Sequence, residues 1–499
     1  MIQTIWNICI LLCYNIPLFF TRFFIAIILH YLEDSNIGRK IYYLPFPRDR
    51  NEVVENPMFM IKIIQSNTDI IPKKAMDIQL RLHEADESTI ADPDKYLNIF
   101  IFTITWQYKE KNDSINICCK SSKFRGPRIA QLYLSGIGFK SREVAFYDNY
   151  APELIQHNNV NVPKCYYNNV FPLLTHTFYL LEAINIDNIV NKPLKDTTTD
   201  SLDVELFLKE EARLHAYYMQ RHNENKNTIN KKFEILHGSI FPSIIKTSKP
   251  LKQHSLLLEA CFKFAVEHCP FTLLHGDARL GNGILHKNIQ RVTLVDFEMC
   301  QPGTPLFDVL YCLWLCTDVT MDDSASGNAA DDDGNGNNKQ SSDMFQTYSK
   351  KDWEMINMWE IEMETHTNKY DKNKYAPLKE QVLVVTLLLW AYTWAVGEAG
   401  FGKVWQDGNN EDDLKAWGTR IRQRIKKFAN DSEAHIVLAH ALGMRNSSFS
   451  HQNEILDQIK SFIEIGIQEK VWTENDQNKN TTRRNELLIS KDYKRRKIQ

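Results

Sequence analysis

Apolar residues recur with two different periods along the chain, and each period predicts a different class of element. Residues 97–108 (LNIFIFTITWQY) and 114–120 (SINICCK) are rich in β-branched and aromatic side chains, which favour strands. The polar residues 109–113 between them predict a hairpin turn. Residues 178–183 form a further run of this kind. The first half of the chain is therefore predicted to contain antiparallel strands.

Longer apolar patterns follow in the second half. Residues 201–219 carry a broad apolar stripe at helical spacing, and residues 256–268 predict another apolar helix. Residues 309–316 are apolar on every side, which indicates a buried helix. Residues 382–396 are also strongly apolar, but about 15 residues are too few to span a bilayer, so a core helix is predicted. A basic helix within 405–427 is expected to present a solvated face.

Two short apolar runs within residues 271–308 end in polar clusters. Leu273 and Leu274 lead into His275-Gly276-Asp277, and Asn282 follows five residues after Asp277. Residues 292–295 predict a second buried strand, which ends at Asp296. Strand ends are rigid supports on which enzymes place polar groups. Asp277, Asn282 and Asp296 are therefore candidate site residues.

This layout suits phosphoryl transfer, in which the transferred group is positioned and its charge is neutralised. One carboxylate must orient the attacking hydroxyl or accept its proton, and Asp277 fits that role. Mg²⁺ prefers hard oxygen ligands, and Asn282 and Asp296 can supply them. Protein kinases show the same spacing of Asp, four residues and Asn, followed by a metal-binding Asp. This chain differs by having Gly276 where protein kinases carry Arg, and DFE where they carry DFG.

The combination of HGD-x-x-x-x-N, DFE and a Gly-x-x-x-x-Asp run at 303–308 resembles the aminoglycoside phosphotransferase and choline kinase-like superfamily. The ecdysteroid kinase-like (CHK kinase-like) families show the closest resemblance. It implies a bilobal protein kinase-like α+β fold, with a small β-rich lobe and a large, mainly helical lobe. It also implies ATP and Mg²⁺ as cofactors and a small-molecule hydroxyl substrate as the partner.

The same resemblance implies roles for residues upstream of this segment. Lys120 would contact the α- and β-phosphates, with Lys123 as the competing candidate, and Glu143 on a helix at 141–150 would pair with the lysine. Backbone groups at Glu182 and Ile184 would bind the adenine edge in the interlobe hinge.

The domain boundaries follow from these elements. Residues 1–35 form an apolar N-terminal segment, 75–183 the small lobe and 184–440 the large lobe. A stretch at 320–345, rich in Gly, Asn, Asp and Ser, is predicted to be a disordered insertion. Residues 441–499 are predicted to hold a C-terminal helix and a charged tail.

Composition narrows the partners. The net charge of -3 gives no nucleic-acid footprint, so no nucleic-acid partner is expected. The ten scattered cysteines lack zinc spacing and fit a reducing compartment. Residues 1–32 are predominantly apolar and predict either a membrane anchor or interfacial helix, or a buried helix packed on the kinase body. Because the first basic residues follow this run, the kinase body is expected to face the cytoplasm.

Two other function classes stay open at this point. Residues 83–96 contain no glycine, so the sequence offers no glycine-rich phosphate loop, and this favours a pseudokinase or scaffold with the same fold. A metal-dependent phosphohydrolase could use the same carboxylates on water, but it would leave Lys120 and Glu143 without a role.

Overall fold

The computed structural model describes these parts of the chain: residues 53, 55, 57–83, 97–123, 139–157, 160–171, 176–184, 191–196, 200–224, 242, 245, 248–318, 347–367, 370–398, 411–445 and 452–468. The predicted apolar N-terminal segment, the glycine-free stretch, the predicted disordered insertion and the charged tail lie outside these residues.

The elements are numbered in chain order. Strands β1 to β10 are Met76–Leu82, Leu97–Tyr108, Lys111–Lys123, Cys165–Phe171, His176–Glu182, Asn191–Pro193, Thr272–Leu274, Gly283–His286, Arg291–Leu294 and Gln301–Gly303. Helices α1 to α11 are Pro57–Asn67, Phe139–Asn149, Ala151–His157, Ser201–Glu224, Ser255–His268, Leu306–Cys316, Lys350–His366, Leu378–Glu398, Glu411–Asn430, Ser432–Arg445 and Gln452–Gln468. Short 3₁₀ turns cover Pro250–His254, Leu280–Asn282, Phe297–Met299 and Lys372–Lys374.

Five strands form an antiparallel sheet in the order β1-β2-β3-β5-β4. Side chains alternate between its two faces because the strand period is two residues. On one face, Phe102, Ile104 and Ile117 are buried in a core to which Met60 and Ile64 of α1 contribute. The opposite face carries Lys120. The backbone that bears this lysine is therefore held in place by the core on the other face of the sheet.

The β2–β3 hairpin turns more tightly than its sequence suggests. Tyr108 pairs with Lys111, so the connection is only Lys109-Glu110, and both residues have positive φ angles of 49° and 63°. A two-residue turn with positive φ at both positions matches the right-handed twist of the strands. The predicted turn at 109–113 was too long, because a turn without glycine or asparagine gives little local signal.

The predicted helices of the second half are present, and most are buried. In α8, all fifteen residues from Val382 to Val396 are buried, as the core-helix prediction required. Within the described residues, no helix combines the length and apolar character that a membrane span needs.

The basic residues of α9 do not all lie on a solvated face, and that prediction was wrong. Arg424 is fully buried and forms an ion pair with Asp352 at 3.0 Å. Arg420 is nearly buried, donates to the carbonyl oxygens of Asp196 and Leu315, and pairs with Asp318. Guanidinium groups can be buried in this way when backbone carbonyls and carboxylates satisfy their N–H donors.

The chain divides into two compact units. The first takes the chain through Lys195, then Leu206–Ser239 and Leu273–Pro302, and the second takes the remaining segments. The five-stranded sheet lies in the first unit, while α5 to α11 lie in the second. The predicted α+β class, with one β-rich part and one mainly helical part, is confirmed. The predicted lobe boundary at 183/184 stays a prediction.

Candidate active site

Lys120 projects from β3 toward a glutamate on α2. It lies in a cross-strand row with Ile99 of β2 and Tyr179 of β5, and its Nζ sits 5.6 Å from the centre of the Tyr179 ring. Nζ donates to both carboxylate oxygens of Glu143, at 2.7 and 2.9 Å. The side chains of Lys120 and Glu143 are only 8% and 2% exposed. Burial makes this ion pair a fixed part of the first unit.

Asp296 is the third member of this cluster. Its Oδ1 accepts from Lys120 Nζ at 2.6 Å, although the two residues are 176 positions apart in the sequence. Asp296 adopts a left-handed backbone conformation, with φ 68° and ψ 60°, two residues after the end of β9. A non-glycine residue in this region is strained, and such strain is characteristic of functional sites. The folded chain therefore brings together Lys120, Glu143 and Asp296.

The charges in this cluster shift one another's titration. Burial alone would lower the pKa of Lys120, but the carboxylates of Asp296, Glu143 and Glu298 outweigh that effect and raise it, so the ammonium stays charged. Burial raises the pKa of Glu143 to about 7, and the carboxylates of Asp296 and Glu298 add to this although Lys120 opposes it.

Residues 275–282 form a second group around Asp277. Asn282 Nδ2 donates to the carbonyl oxygen of Asp277 at 2.8 Å and to its carboxylate Oδ2 at 2.9 Å. Arg279 Nε donates to the same Oδ2 at 3.2 Å. The carboxylate is thus oriented by two donors and keeps 21% of its side chain exposed. Such a fixed, accessible carboxylate can accept a proton from a bound hydroxyl.

His275 and Gly276 hold this segment in place. His275 Nε2 donates to the carbonyl oxygen of Val295 at 2.9 Å, and its ring packs 4.5 Å from that of Phe297. Gly276 has φ +84°, and a Cβ atom there would lie 2.0 Å from the carbonyl oxygen of Met299. Glycine is therefore required at this position by both backbone conformation and space.

Aromatic stacking fixes α2 against the turn that follows Asp296. The rings of Phe146 and Phe297 are stacked with centroids 3.6 Å apart. Arg142 Nη1 also donates from α2 to the carbonyl oxygen of Cys300 at 3.1 Å. Since Glu143 lies between Arg142 and Phe146 on the same helix, these contacts determine where its carboxylate meets Lys120.

Three carboxylates in this region could share a cation. Glu143, Asp296 and Glu298 each place an oxygen within 4.8 Å of the other two. Carboxylate oxygens are the ligands that Mg²⁺ prefers, so the donor set fits that ion. Asn282, the other predicted metal ligand, directs its Nδ2 to Asp277. Its backbone oxygen accepts from Val295 N at 3.0 Å, which ties its loop to the residue before Asp296.

The two hinge candidates follow β5. Glu182 is an exposed residue whose backbone N–H donates to the carbonyl oxygen of Lys164 at 2.7 Å, and its Oε2 accepts from Lys164 N. Ile184 is half-buried two residues later. Of the Glu182 backbone groups, the N–H is therefore already used within the protein. Lys123, the competitor of Lys120, lies three residues further along β3, at its end.

Sequence reasoning missed several parts of this arrangement. Arg279 went unnoticed, although Asp277 and Arg279 have the i, i+2 spacing that places both side chains on one side of an extended segment. The partly exposed apolar surface next to Lys120 was also missed. Ile99, Ile101 and Cys118 form it, and the alternation within 97–108 and 114–120 could have indicated it. Burial raises the pKa of the Cys118 thiol to about 11, which keeps this surface uncharged.

Comparison with known proteins bears on the same segment. The family described as phosphotransferase enzyme family, APH, matches residues 139–342. Over this stretch the chain is similar to phosphotransferases. The matched residues include Glu143, Asp277 and Asp296 but not Lys120. No curated protein matches the chain.

Several solved structures are similar to this chain at low identity. An ethanolamine kinase from Plasmodium vivax is 13% identical over 79% of this chain and 94% of that chain, with a TM-score of 0.39. Choline kinase from Streptococcus pneumoniae is 12% identical over 76% and 99%, with a TM-score of 0.33. A choline/ethanolamine kinase family protein from Mesorhizobium loti is 12% identical over 77% and 99%, with a TM-score of 0.34.

Proposed function

We propose that the protein is a Mg²⁺-dependent small-molecule kinase that transfers the γ-phosphoryl group of ATP to a hydroxyl group of its acceptor. The contact of Lys120 with both Glu143 and Asp296 carries this proposal. A lysine for the phosphates, a glutamate that fixes the lysine and an aspartate for the metal are the parts on which kinase phosphoryl-transfer sites depend. A scaffold has no need to bury this charged cluster.

The nucleotide would bind against the face of the sheet that carries Lys120. The partly exposed side chains of Ile99, Ile101 and Cys118 offer an uncharged surface for a purine ring next to the lysine. The ammonium of Lys120 would move from Asp296 to the α- and β-phosphates while it keeps its bond to Glu143. Glu182 and Ile184 would contribute backbone groups to the adenine edge, and because the Glu182 N–H is used, its carbonyl oxygen is the candidate acceptor.

Asp296 would hold the metal, with Asn282 as a second ligand and Glu298 beside it. Asn282 directs Nδ2 to Asp277, which leaves its Oδ1 as the atom that would face a cation. The bound metal would neutralise charge on the phosphate oxygens. The metal would also neutralise the negative charges of Asp296 and Glu298, which Lys120 partly balances in the absence of the metal.

Asp277 would orient the acceptor hydroxyl and accept its proton. The bonds from Asn282 and Arg279 to Oδ2 hold the carboxylate in one orientation, so that the reacting oxygen meets a fixed group. The attacking hydroxyl oxygen would form a bond to the γ-phosphorus, and ADP would leave with the electron pair of the broken bond.

We also propose that the protein is related to the ecdysteroid kinase-like (CHK kinase-like) families. We propose further that its kinase body is cytoplasmic and associates with a membrane through residues 1–32. The motifs at 275–282 and 296–298 support the first. The apolar composition of residues 1–32 supports the second.

The experiment that tests the proposal measures ADP release by the full chain with ATP and Mg²⁺, alone and with a panel of alcohols that includes neutral, acidic and ammonium-bearing compounds. Acceptor-dependent ADP release that disappears in Asp277→Asn supports the kinase. ADP release that no acceptor increases would instead indicate a phosphohydrolase. Absence of ADP release together with intact nucleotide binding would favour the pseudokinase or scaffold.

A further inference from the structure

Arg279 places a permanent positive charge beside the candidate base. Its Nε lies 3.2 Å from Asp277 Oδ2, and the two side chains are 26% and 21% exposed. Guanidinium groups stay protonated at every pH that a protein tolerates. Any acceptor whose hydroxyl reaches Asp277 must therefore approach this charge too.

The local backbone keeps the guanidinium there. Arg279 is extended, with φ -143° and ψ 155°, and its neighbours Ala278 and Leu280 are fully buried. Because side chains alternate along extended backbone, Arg279 points to the same side as Asp277. The carbonyl oxygen of Arg279 also accepts from Asn282 N at 2.9 Å, which fixes its position at the start of the 3₁₀ turn.

The consequence concerns the chemical groups next to the reacting hydroxyl. When that hydroxyl is within hydrogen-bond distance of Asp277, substituents one or two bonds away lie within a few ångströms of Arg279. A carboxylate or phosphate there would form charge-assisted hydrogen bonds with the guanidinium, and a neutral polyol could accept from it. The guanidinium would repel an ammonium group there and so oppose the attraction of that group to the Asp277 carboxylate.

We propose that Arg279 is a specificity-determining residue that excludes acceptors with a cationic group next to the reacting hydroxyl. The acceptor is then a neutral or acidic alcohol, not an amino alcohol or a quaternary ammonium alcohol. This inference rests on the proposed function, because it assigns the acceptor class of the same site.

The test compares wild type, Arg279→Gln and Arg279→Lys with ATP, Mg²⁺ and three probes: glycerol, glycerate and choline. For the wild type we expect kcat/KM for glycerate to exceed that for choline by about tenfold or more. Arg279→Gln should reduce this ratio by about the same factor, and Arg279→Lys should retain most of it because the charge remains. A wild type that prefers choline, or a ratio unchanged in Arg279→Gln, would overturn the inference.

A second measurement does not require turnover. With ADP and Mg²⁺ present, glycerate should bind wild type more tightly than Arg279→Gln. Choline should bind Arg279→Gln more tightly than wild type. Equal affinities in the two proteins, or no measurable binding of either probe, would overturn the inference. Lys287→Gln is the matched control, because it removes one positive charge in the turn after β8. Glycerate and choline should each bind this variant with the same affinity as wild type.

Failure of this inference is distinguishable from failure of the proposed function. If only the inference fails, the wild type releases ADP in an acceptor-dependent reaction with ATP and Mg²⁺, while the charge of the acceptor has no effect. If the proposed function fails, no alcohol of the panel increases ADP release by the wild type, whether or not ATP binds.

Discussion

Asp277 has donors on one of its carboxylate oxygens and a partly exposed side chain, which is the arrangement that a general base requires. Asp277→Asn keeps the shape of the side chain but removes its ability to accept a proton. We expect turnover to fall by about 10²–10⁴-fold, while ATP affinity stays within about twofold of wild type. Steady-state ADP release and equilibrium nucleotide binding check the two parts. Full retention of kcat would remove Asp277 from the proposed role.

Glu143 gives the site a dependence on pH in the absence of nucleotide. Burial raises its pKa to about 7 from the ordinary value of 4.5, so the folded state binds an extra proton between those pH values. The associated stability is present below about pH 4.5 and is lost as the pH rises through about 7. Lys120 stays charged throughout this window because its own pKa is raised.

Glu143→Gln removes this titration. We therefore expect the melting temperature of the variant to fall less than that of wild type as the pH rises from about 4.5 to about 8. Thermal unfolding across this range, without metal or nucleotide, measures the difference. Parallel curves for the two proteins would contradict the shifted pKa of Glu143.

At the scale of elements, the segment from β7 to β9 depends on one glycine. Gly276→Ala would place a Cβ 2.0 Å from the carbonyl oxygen of Met299 in a residue with φ +84°, so the loop or the 3₁₀ turn after Asp296 must move. We expect a loss of more than about 1 kcal/mol in the free energy of unfolding, together with weaker nucleotide binding. Denaturant unfolding and nucleotide titration measure the two effects.

Gly418→Ala is the control for that substitution. Gly418 lies within α9, where the nearest atom to an added Cβ is the Arg422 Nη1 at 3.5 Å. Alanine in a helix interior is favoured over glycine, so this variant should be as stable as wild type or more stable by about 0.5–1 kcal/mol. If Gly276→Ala matched Gly418→Ala in stability, the steric account of the HGD motif would be wrong.

The same elements show how far sequence reasoning extends. β2 was predicted with the bounds that it has, because an apolar run of twelve residues carries a strong local signal. The HGD and DFE motifs were found by spacing alone. The partners of Gly276 could not be predicted, because Met299 is distant in sequence and meets Gly276 only in the fold. Residue type likewise suggested a solvated Arg424, whereas its Nη1 and Nη2 donate to Asp352 and to backbone carbonyls in the interior.

At the scale of the whole molecule, the first compact unit contains every residue to which a role in catalysis or nucleotide binding is assigned here. Lys120 and Glu143 come from the sheet and α2, and Asp277, Asn282 and Asp296 come from the segment Leu273–Pro302. The spacing of Asp277, Asn282 and Asp296 in the sequence was enough to predict these three as site residues. The prediction of Lys120 and Glu143 depended on a family resemblance, because no local sequence pattern distinguishes these two residues from other lysines and glutamates.

The measurement that tests the account most directly is the affinity of the full chain for ATP with and without Mg²⁺, in wild type and in Asp296→Ala. If Lys120, Glu143 and Asp296 form a nucleotide and metal site, ATP binds wild type with a clear Mg²⁺ dependence, and at 100 times Kd it adds about 2.7 kcal/mol of stability. Asp296→Ala should lose that dependence, while Lys287→Gln should keep it. An affinity that is unchanged in Asp296→Ala, or a folded wild type that does not bind ATP, would contradict the assignment.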